Sequence, residues 1–299
     1  MSKSPFLIPN SAFAFPDMPA WQAELDALIV ARDVLQRQID ERVRIRNQEL
    51  LENDSFFKER KTRKLASFVA ELGYRILDFT KKEQPLSTKR AAQLMFRIKG
   101  YAVPIFKKFV AKARQRQEVP LDGLEPEVKT TFLQLCDAFE RLGWIETERT
   151  KHEIKIRRLN DKEAAQFWHG SWAEVVNRSL IESTLQDFAK EHKCPFDVFF
   201  NVKLAKLDSS KTSSDMELDI IAQLRDRFYI FETKTGILGI DKWVARAKMF
   251  SVDQKSRFIT CCADETIPSY LFEPYQLVPL SRLKQEMVPM LNGDLIQNV

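Results

Sequence analysis

Glycine, histidine and cysteine are all scarce in this chain of 299 residues, and each scarcity excludes something. Eight glycines leave little material for long flexible linkers. Three histidines, His152, His169 and His192, are not spaced as a pair that could ligate a metal or activate a nucleophile. Cys136, Cys194, Cys261 and Cys262 show no Cys-x-x-Cys spacing, so neither a zinc site nor a disulfide framework is expected. No apolar run reaches 18 residues, and Met1 to Phe15 lacks the continuous apolar segment of a signal peptide. The expectation is a cytoplasmic protein with no membrane span. An apolar fraction of 44%, with 22 Phe, is ample for more than one core at this length.

Acid is missing from one stretch altogether. Gln84 to Gln117 holds no Asp or Glu but nine basic residues: Lys89, Arg90, Arg97, Lys99, Lys107, Lys108, Lys112, Arg114 and Arg116. The whole chain carries only +5, so the remainder is net acidic. Ser87 can cap a helix starting at Thr88 and ending at Gly100, and Tyr101 to Arg116 can form another with Pro104 in its first turn. Phe96, Tyr101, Phe106 and Phe109 then pack inward while the basic side chains face water. Such a surface attracts a polyanion without sequence preference, which makes nucleic acid the expected partner. A solvated face, or an acidic protein or membrane surface, are the other readings.

Chemistry concentrates further on. Leu218 to Leu224 and Phe228 to Thr233 read as strands joined by the short polar Arg225-Asp226-Arg227, a hairpin. Alternate side chains share a face, so Glu232 pairs with Lys234 and Glu217 with Asp219. A loop centred between Arg225 and Asp226 sets Asp219 opposite Glu232, roughly 5 Å away. Two carboxylates and an ammonium on an apolar hairpin either neutralise one another as a surface ion pair or hold a cation. Hard divalent ions such as Mg²⁺ take oxygen ligands, commonly one or two carboxylates plus waters and phosphate oxygens. Metal-held water beside a lysine is what phosphodiester hydrolysis requires.

An acid on one strand and Glu-x-Lys on the next resembles the PD-(D/E)XK nuclease superfamily. The order of elements agrees. Gly170-Ser171-Trp172-Ala173-Glu174 opens a helix to about Glu191, followed by a strand over Phe196 to Leu207 and then the hairpin. A helix near Asp241 to Ser251, strands Arg257 to Cys262 and Tyr275 to Pro279, and a closing helix from Ser281 complete it. Phe167-Trp168-His169-Gly170-Ser171-Trp172-Ala173-Glu174 is similar to the Gly-x-Trp-x-Glu signature of the CRISPR ancillary nucleases that cyclic oligoadenylate activates. That resemblance, over roughly residues 125 to 299, implies a metal site of Glu174, Asp219, Glu232 and the Thr233 carbonyl, with Mg or Mn, Lys234 near the attacking water, and Glu217 as an adjunct. It further implies a homodimer, a role in antiviral defence, and a protein partner in a defence complex. DNA is the first choice of substrate, with RNA open.

Val128 to Leu142 reads as an amphipathic helix stopped by Gly143, followed by a hairpin of Trp144 to Thr147 and Ile154 to Arg158. This resembles the winged-helix-like linker of the same family. The Rossmann sensor of that family is not read here. Trp21, Leu25, Leu28, Ile29, Leu35, Ile39 and Val43 mark one helix. Leu65, Phe68, Val69, Leu72, Ile76 and Phe79 mark a second, together an antiparallel helical hairpin. The expected architecture is therefore α/β: an all-α, partly basic segment over 1–120, a winged-helix-like linker over 121–160, and over 161–299 a PD-(D/E)XK (restriction-endonuclease-like) mixed sheet flanked by helices. Two other readings are a catalytically silent nuclease-fold subunit that binds nucleic acid as a scaffold, and a transcription factor built on the winged-helix-like part. The mixed charge of Val128 to Leu142 suits a recognition helix poorly.

Overall fold

The computed structural model describes residues 18–51, 55–80, 84–97, 118–159, 166–209, 212–235, 240–251, 255–264, 268–272 and 275–296. The N-terminal periodicity produces α1 (Met18–Leu51), a single turn α2 (Ser55–Lys58) and α3 (Arg63–Glu71), which buries Leu65, Phe68 and Val69. The helical stripe expected to continue through Ile76 and Phe79 does not. Gly73 adopts φ +81 and ends the helical run, and Tyr74–Thr80 extends as β1. The spacing of Leu72, Ile76 and Phe79 suits a helix, yet pairing of β1 with another strand wins because it satisfies the backbone and buries Ile76. The all-α expectation for 1–120 is corrected over these residues.

Next come α4 (Leu86–Arg97) and β2 (Glu118–Pro120). The expected second basic helix, with Lys107, Lys108, Lys112, Arg114 and Arg116, lies outside the described residues, as does Lys99 at the end of the expected first one. α5 (Pro126–Arg141) starts with a proline in its first turn and stops before Gly143, at φ +71. β3 (Ile145–Arg149) and β4 (Glu153–Leu159) form the expected antiparallel hairpin, and β2 adds to its far side in the order β2-β4-β3.

A π-helical turn over Phe167–Ser171 leads into α6 (Trp172–His192). Then follow β5 (Phe196–Lys206), β6 (Met216–Leu224), β7 (Arg227–Lys234), α7 (Ile240–Phe250), β8 (Ser256–Cys262), β9 (Tyr270–Phe272), β10 (Tyr275–Pro279) and α8 (Leu283–Ile296). β1, β2 and the three-residue β9 were not legible in the sequence. The main sheet has seven strands in the order β1-β5-β6-β7-β8-β10-β9. β7, β8 and β10 run parallel to one another and the remaining neighbours are antiparallel, so the sheet is mixed.

Helices cover both faces. One core joins Phe200, Ile220, Ala222, Tyr229, Phe231 and Ile259 to α4, α5, α6 and α8. The other joins Phe199, Val202, Leu218, Ile221, Phe228 and Ile230 to α3 and α7. α3 and α4 are thus built into the two helical layers, and β1 into the sheet itself. No helix among the described residues is long and apolar enough to cross a membrane.

The two core lists reveal a break in alternation. Leu218 and Ile220 are two residues apart on β6, as are Phe200 and Val202 on β5, yet each pair is split between opposite faces. Between them sit Asp219 and Asn201. Asn201 has φ +49, and the ladder passes from Phe200↔Ile220 to Val202↔Leu218 without pairing the two. The same register holds on both sides, so both strands kink together at one level.

Candidate active site

Glu232 is set by β7. Its side chain is almost wholly buried, at 1% exposure, on the face covered by α7. Strand alternation brings Lys234 to the same side, and its Nζ donates to Glu232 Oε2 at 3.2 Å. Glu232 Oε1 accepts from Arg246 Nη1 at 2.9 Å. Arg246 comes from α7, where Trp243 and Ala247 mark the inward side. The centre of the Trp243 ring lies 3.9 Å from Lys234 Nζ and 5.0 Å from the Arg246 guanidinium carbon, so both cations lie over the same ring.

Asp219 reaches the same place through the kink. Its Oδ2 accepts the Thr233 backbone N–H at 2.6 Å, while the Thr233 hydroxyl accepts from Asn177 Nδ2 of α6 at 2.8 Å. The expectation that Glu217 and Asp219 share a face through plain alternation is corrected by the break at Asp219. Glu217 is exposed, though its charge still reaches Glu174.

Glu174 arrives from the opposite layer, in the first turn of α6. Gly170, at φ +156, bends the chain into that helix, and a Cβ there would meet Thr235 Cγ2 at 3.6 Å. The start of α6 therefore lies against the end of β7. Trp172 is buried in the core beneath it, as its apolarity implies.

The three carboxyl groups crowd one another's charge. Burial first, then the Asp219 charge, pushes Glu232 up to about 7, against the pull of Lys234 and Arg246. Loss of water at the cleft wall pushes Glu174 up to about 7, reinforced by Asp219 and Glu217 and opposed by Lys234. Asp219 is raised by burial, although the Thr233 N–H, Lys234 and Arg246 all favour its charged form. Each negative charge added here meets resistance that a cation would remove.

A cleft of about 360 Å³ opens at the kink. Glu174, Arg178, Phe200, Asn201 and Asp219 line it, with Gln84 and Pro85 at the entry to α4. Arg178, one turn beyond Glu174, holds its guanidinium 3.4 Å from the centre of the Phe200 ring and 3.7 Å from Glu182 Oε1. Of the basic segment, Arg90 and Arg97 are exposed and Lys89 is half-buried on α4, next to this entry.

Hard oxygen donors in a charge-strained cluster fit Mg²⁺ or Mn²⁺ by chemistry. They do so as an open set: among the described residues no group of three or more His, Cys, Asp or Glu is disposed to enclose a metal ion. Both Glu232 oxygens are engaged by cations, which leaves Asp219 and Glu174 as the carboxylates that line the cleft. One or two carboxylates suffice for Mg²⁺ when water and phosphate complete its shell.

Glu174, Asp219, Glu232, Thr233 and Lys234, all read from the sequence, are brought to this one region. Arg246, Trp243, Asn177, Arg178 and Asn201 were not recognised as a set. The signal for Arg246 was its place at the edge of the Trp243, Ala247, Phe250 face of α7. For Asn201, with its kink in the middle of an apolar strand, the signal was an asparagine interrupting Phe199-Phe200 and Val202. His169 has no described side chain, and His152 pairs at the surface with Asp122 at 3.1 Å. All four cysteines are buried free thiols.

No protein-family model matches this sequence, and no curated protein does. Among solved structures, the crystal structure of protein VC1899 from Vibrio cholerae is similar at a TM-score of 0.46 and 16% identity, covering 76% of this chain. The aligned part spans 60% of that protein.

Proposed function

We propose that the chain is a metal-dependent nuclease of the PD-(D/E)XK type that hydrolyses phosphodiester bonds of DNA, with RNA as the alternative polymer. The observation that carries this reading is that Glu174 from α6 and Asp219 from the kink in β6 line one cleft, with Glu232 and Lys234 of β7 paired close enough for their charges to act on Asp219. An ion pair placed on a strand for stability alone needs neither the broken alternation at Asp219 nor a glutamate supplied from the opposite layer.

Asp219, Glu174 and the Thr233 carbonyl would hold the ion. Bound there, Mg²⁺ or Mn²⁺ supplies Lewis-acid activation of water and charge neutralisation on phosphate. Lys234, steadied between Glu232 and the Trp243 ring, orients the attacking water and offsets charge developing on the phosphoryl oxygens. Arg246 fixes the second oxygen of Glu232, so that the Glu232 carboxylate does not swing between Lys234 and the cleft. Arg178 faces the cleft where a phosphate of the bound strand would pass. The basic side chains of α4 draw the polyanion to the entry through counterion release.

The competing reading is a silent nuclease-fold scaffold in a defence complex. It is favoured by the engagement of both Glu232 oxygens with cations and by the lack of an enclosed ligand set. Cleavage of plasmid and single-stranded DNA with Mg²⁺ or Mn²⁺ separates the two, comparing the unaltered chain with Glu232→Ala and Lys234→Ala. Cutting abolished in both variants supports the nuclease. Binding without cutting under any metal supports the scaffold, and equal cutting by all three proteins refutes the assigned site.

A further inference from the structure

Nine of the twelve large hydrophobic side chains that stand exposed among the described residues lie on α1. This helix has 34 residues, so it is about 51 Å long. Among the described residues, it is its last turns that are held by the rest of the chain. Asn47 Nδ2 donates to the Ala70 carbonyl at 2.7 Å, Arg46 stands 3.9 Å from Asp208, and Val43 and Leu50 border the groove beside Gly73 and Leu207.

At about 100° per residue, Leu25, Leu28, Leu35, Ile39, Val43 and Leu50 fall within an arc of about 80°. That is a narrow seam of the kind two long helices bury between them. Its C-terminal end meets the body of the protein. Its N-terminal part runs on past it, with Leu28 at 68%, Leu35 at 59% and Ile39 at 54% exposure.

The charges along the helix indicate what covers the seam. Residues 24–33 hold Glu24, Asp26 and Asp33 against Arg32 alone, whereas residues 37–46 hold Arg37, Arg42, Arg44 and Arg46 against Asp40 and Glu41. The helix is therefore acidic toward its N-terminal end and basic near the body. A second copy laid antiparallel matches acid to base at both ends at once, because a two-fold contact repeats each pair. Parallel pairing in register would set like charges side by side. Glu24 and Arg42 lie on the same flank of the seam, about 40° from Leu28, and antiparallel pairing centred near Asp33 sets each Glu24 beside the other copy's Arg42. This register spans residues 24–42 and stops short of Arg46 and Asn47, which are held by the body.

We propose that α1 is a homodimerisation element: two copies of the chain pair through an antiparallel two-helix coiled coil along the seam from Leu25 to Val43. This rests on α1 alone and is independent of the chemistry assigned to the cleft. A dimer so built holds the two bodies at opposite ends of the coil.

Light scattering coupled to gel filtration, and sedimentation across a hundredfold range of concentration, test this on the full chain. The expected result is a dimer of the 34.9 kDa chain. Leu28→Asp and the pair Leu35→Asp with Ile39→Asp should each give a monomer with unchanged thermal unfolding of the body, since these side chains face solvent in the single chain. Glu24→Arg alone and Arg42→Glu alone should each weaken the dimer about tenfold, and the double exchange should restore it. A monomer at every concentration overturns the proposal, including the case in which α1 serves a different protein. So does a dimer indifferent to the seam variants, and a dimer that the single charge exchanges leave untouched overturns the antiparallel arrangement.

Discussion

Lowering the pH from 8 to 6 should weaken Mn²⁺ binding at the cluster, and the structure sets how much. Glu232 has its carboxyl raised to about 7 by burial and by Asp219, so at pH 6 it holds a proton roughly nine-tenths of the time and at pH 8 roughly one-tenth. An ion held at Asp219 and Glu174 is favoured by the charged form of the neighbouring Glu232, which is not itself a ligand, and so must displace that proton. The penalty at pH 6 is at most about 1.4 kcal/mol, or tenfold in affinity, for each glutamate so affected. Glu174 stands at about 7 as well but is partly exposed, so its share is smaller, and the combined loss lies between about tenfold and a hundredfold. The sign for the metal-free fold follows from the same shifts. A carboxyl raised above its unfolded value near 4.5 favours the folded state fully below that value and loses this as pH climbs to about 7. For buried Glu232 the loss is on the order of 3 kcal/mol. Calorimetric titration with Mn²⁺ in two buffers of different ionisation enthalpy counts the protons released. An affinity constant from pH 6 to 8 with no proton release would refute the electrostatic account of this cluster.

Other outcomes follow from particular contacts. Asp294, 2% exposed, accepts from Arg257 Nη2 at 2.7 Å, from Arg227 Nη1 and from the Tyr229 hydroxyl at 2.9 Å, tying α8 to β7 and β8. Burial alone would raise its carboxyl, but Arg257 and its other partners hold it below the usual value, so its contribution is present at neutral pH and disappears only in strong acid. Asp294→Ala should lower stability by about 3–5 kcal/mol in thermal or denaturant unfolding at pH 7 while leaving Mn²⁺ binding intact. Phe68→Ala removes a ring stacked 4.2 Å from Phe228 and should cost about 3–5 kcal/mol in one cooperative transition, because α3 packs on the same sheet that carries the cluster. Asn201→Val should destabilise by about 1–2 kcal/mol, since a β-branched residue resists φ +49, whereas Asn201→Gly should be tolerated; equal unfolding midpoints for the two would show that the kink is not maintained in solution. Arg246→Ala takes away a cation that holds Glu232 down, so the pH midpoint of Mn²⁺ binding should move upward, read from the same calorimetric series.

Short-range chemistry made much of this molecule legible without coordinates. The hairpin over Met216–Lys234, the helix beginning at Trp172, and α5 with its stop before Gly143 all follow from periodicity, turn residues and a positive-φ glycine, which act within a few residues of one another. Glu232 and Lys234 share a face because strand geometry obliges them to.

What the sequence by itself could not determine depends on groups distant along the chain. Tyr74–Thr80 became a strand because β5 offered it a partner some 125 residues away, against a helical spacing that was locally just as good. Asp219 faces the cleft because β5 and β6 kink together at Asn201, so two opposite layers supply one cluster. Arg246 turns inward because a buried carboxylate at 2.9 Å leaves it no cheaper place than that pairing. Sequence settled which side chains could do chemistry; only tertiary packing, which trades local preference for satisfied backbone and neutralised charge, decided which of them meet.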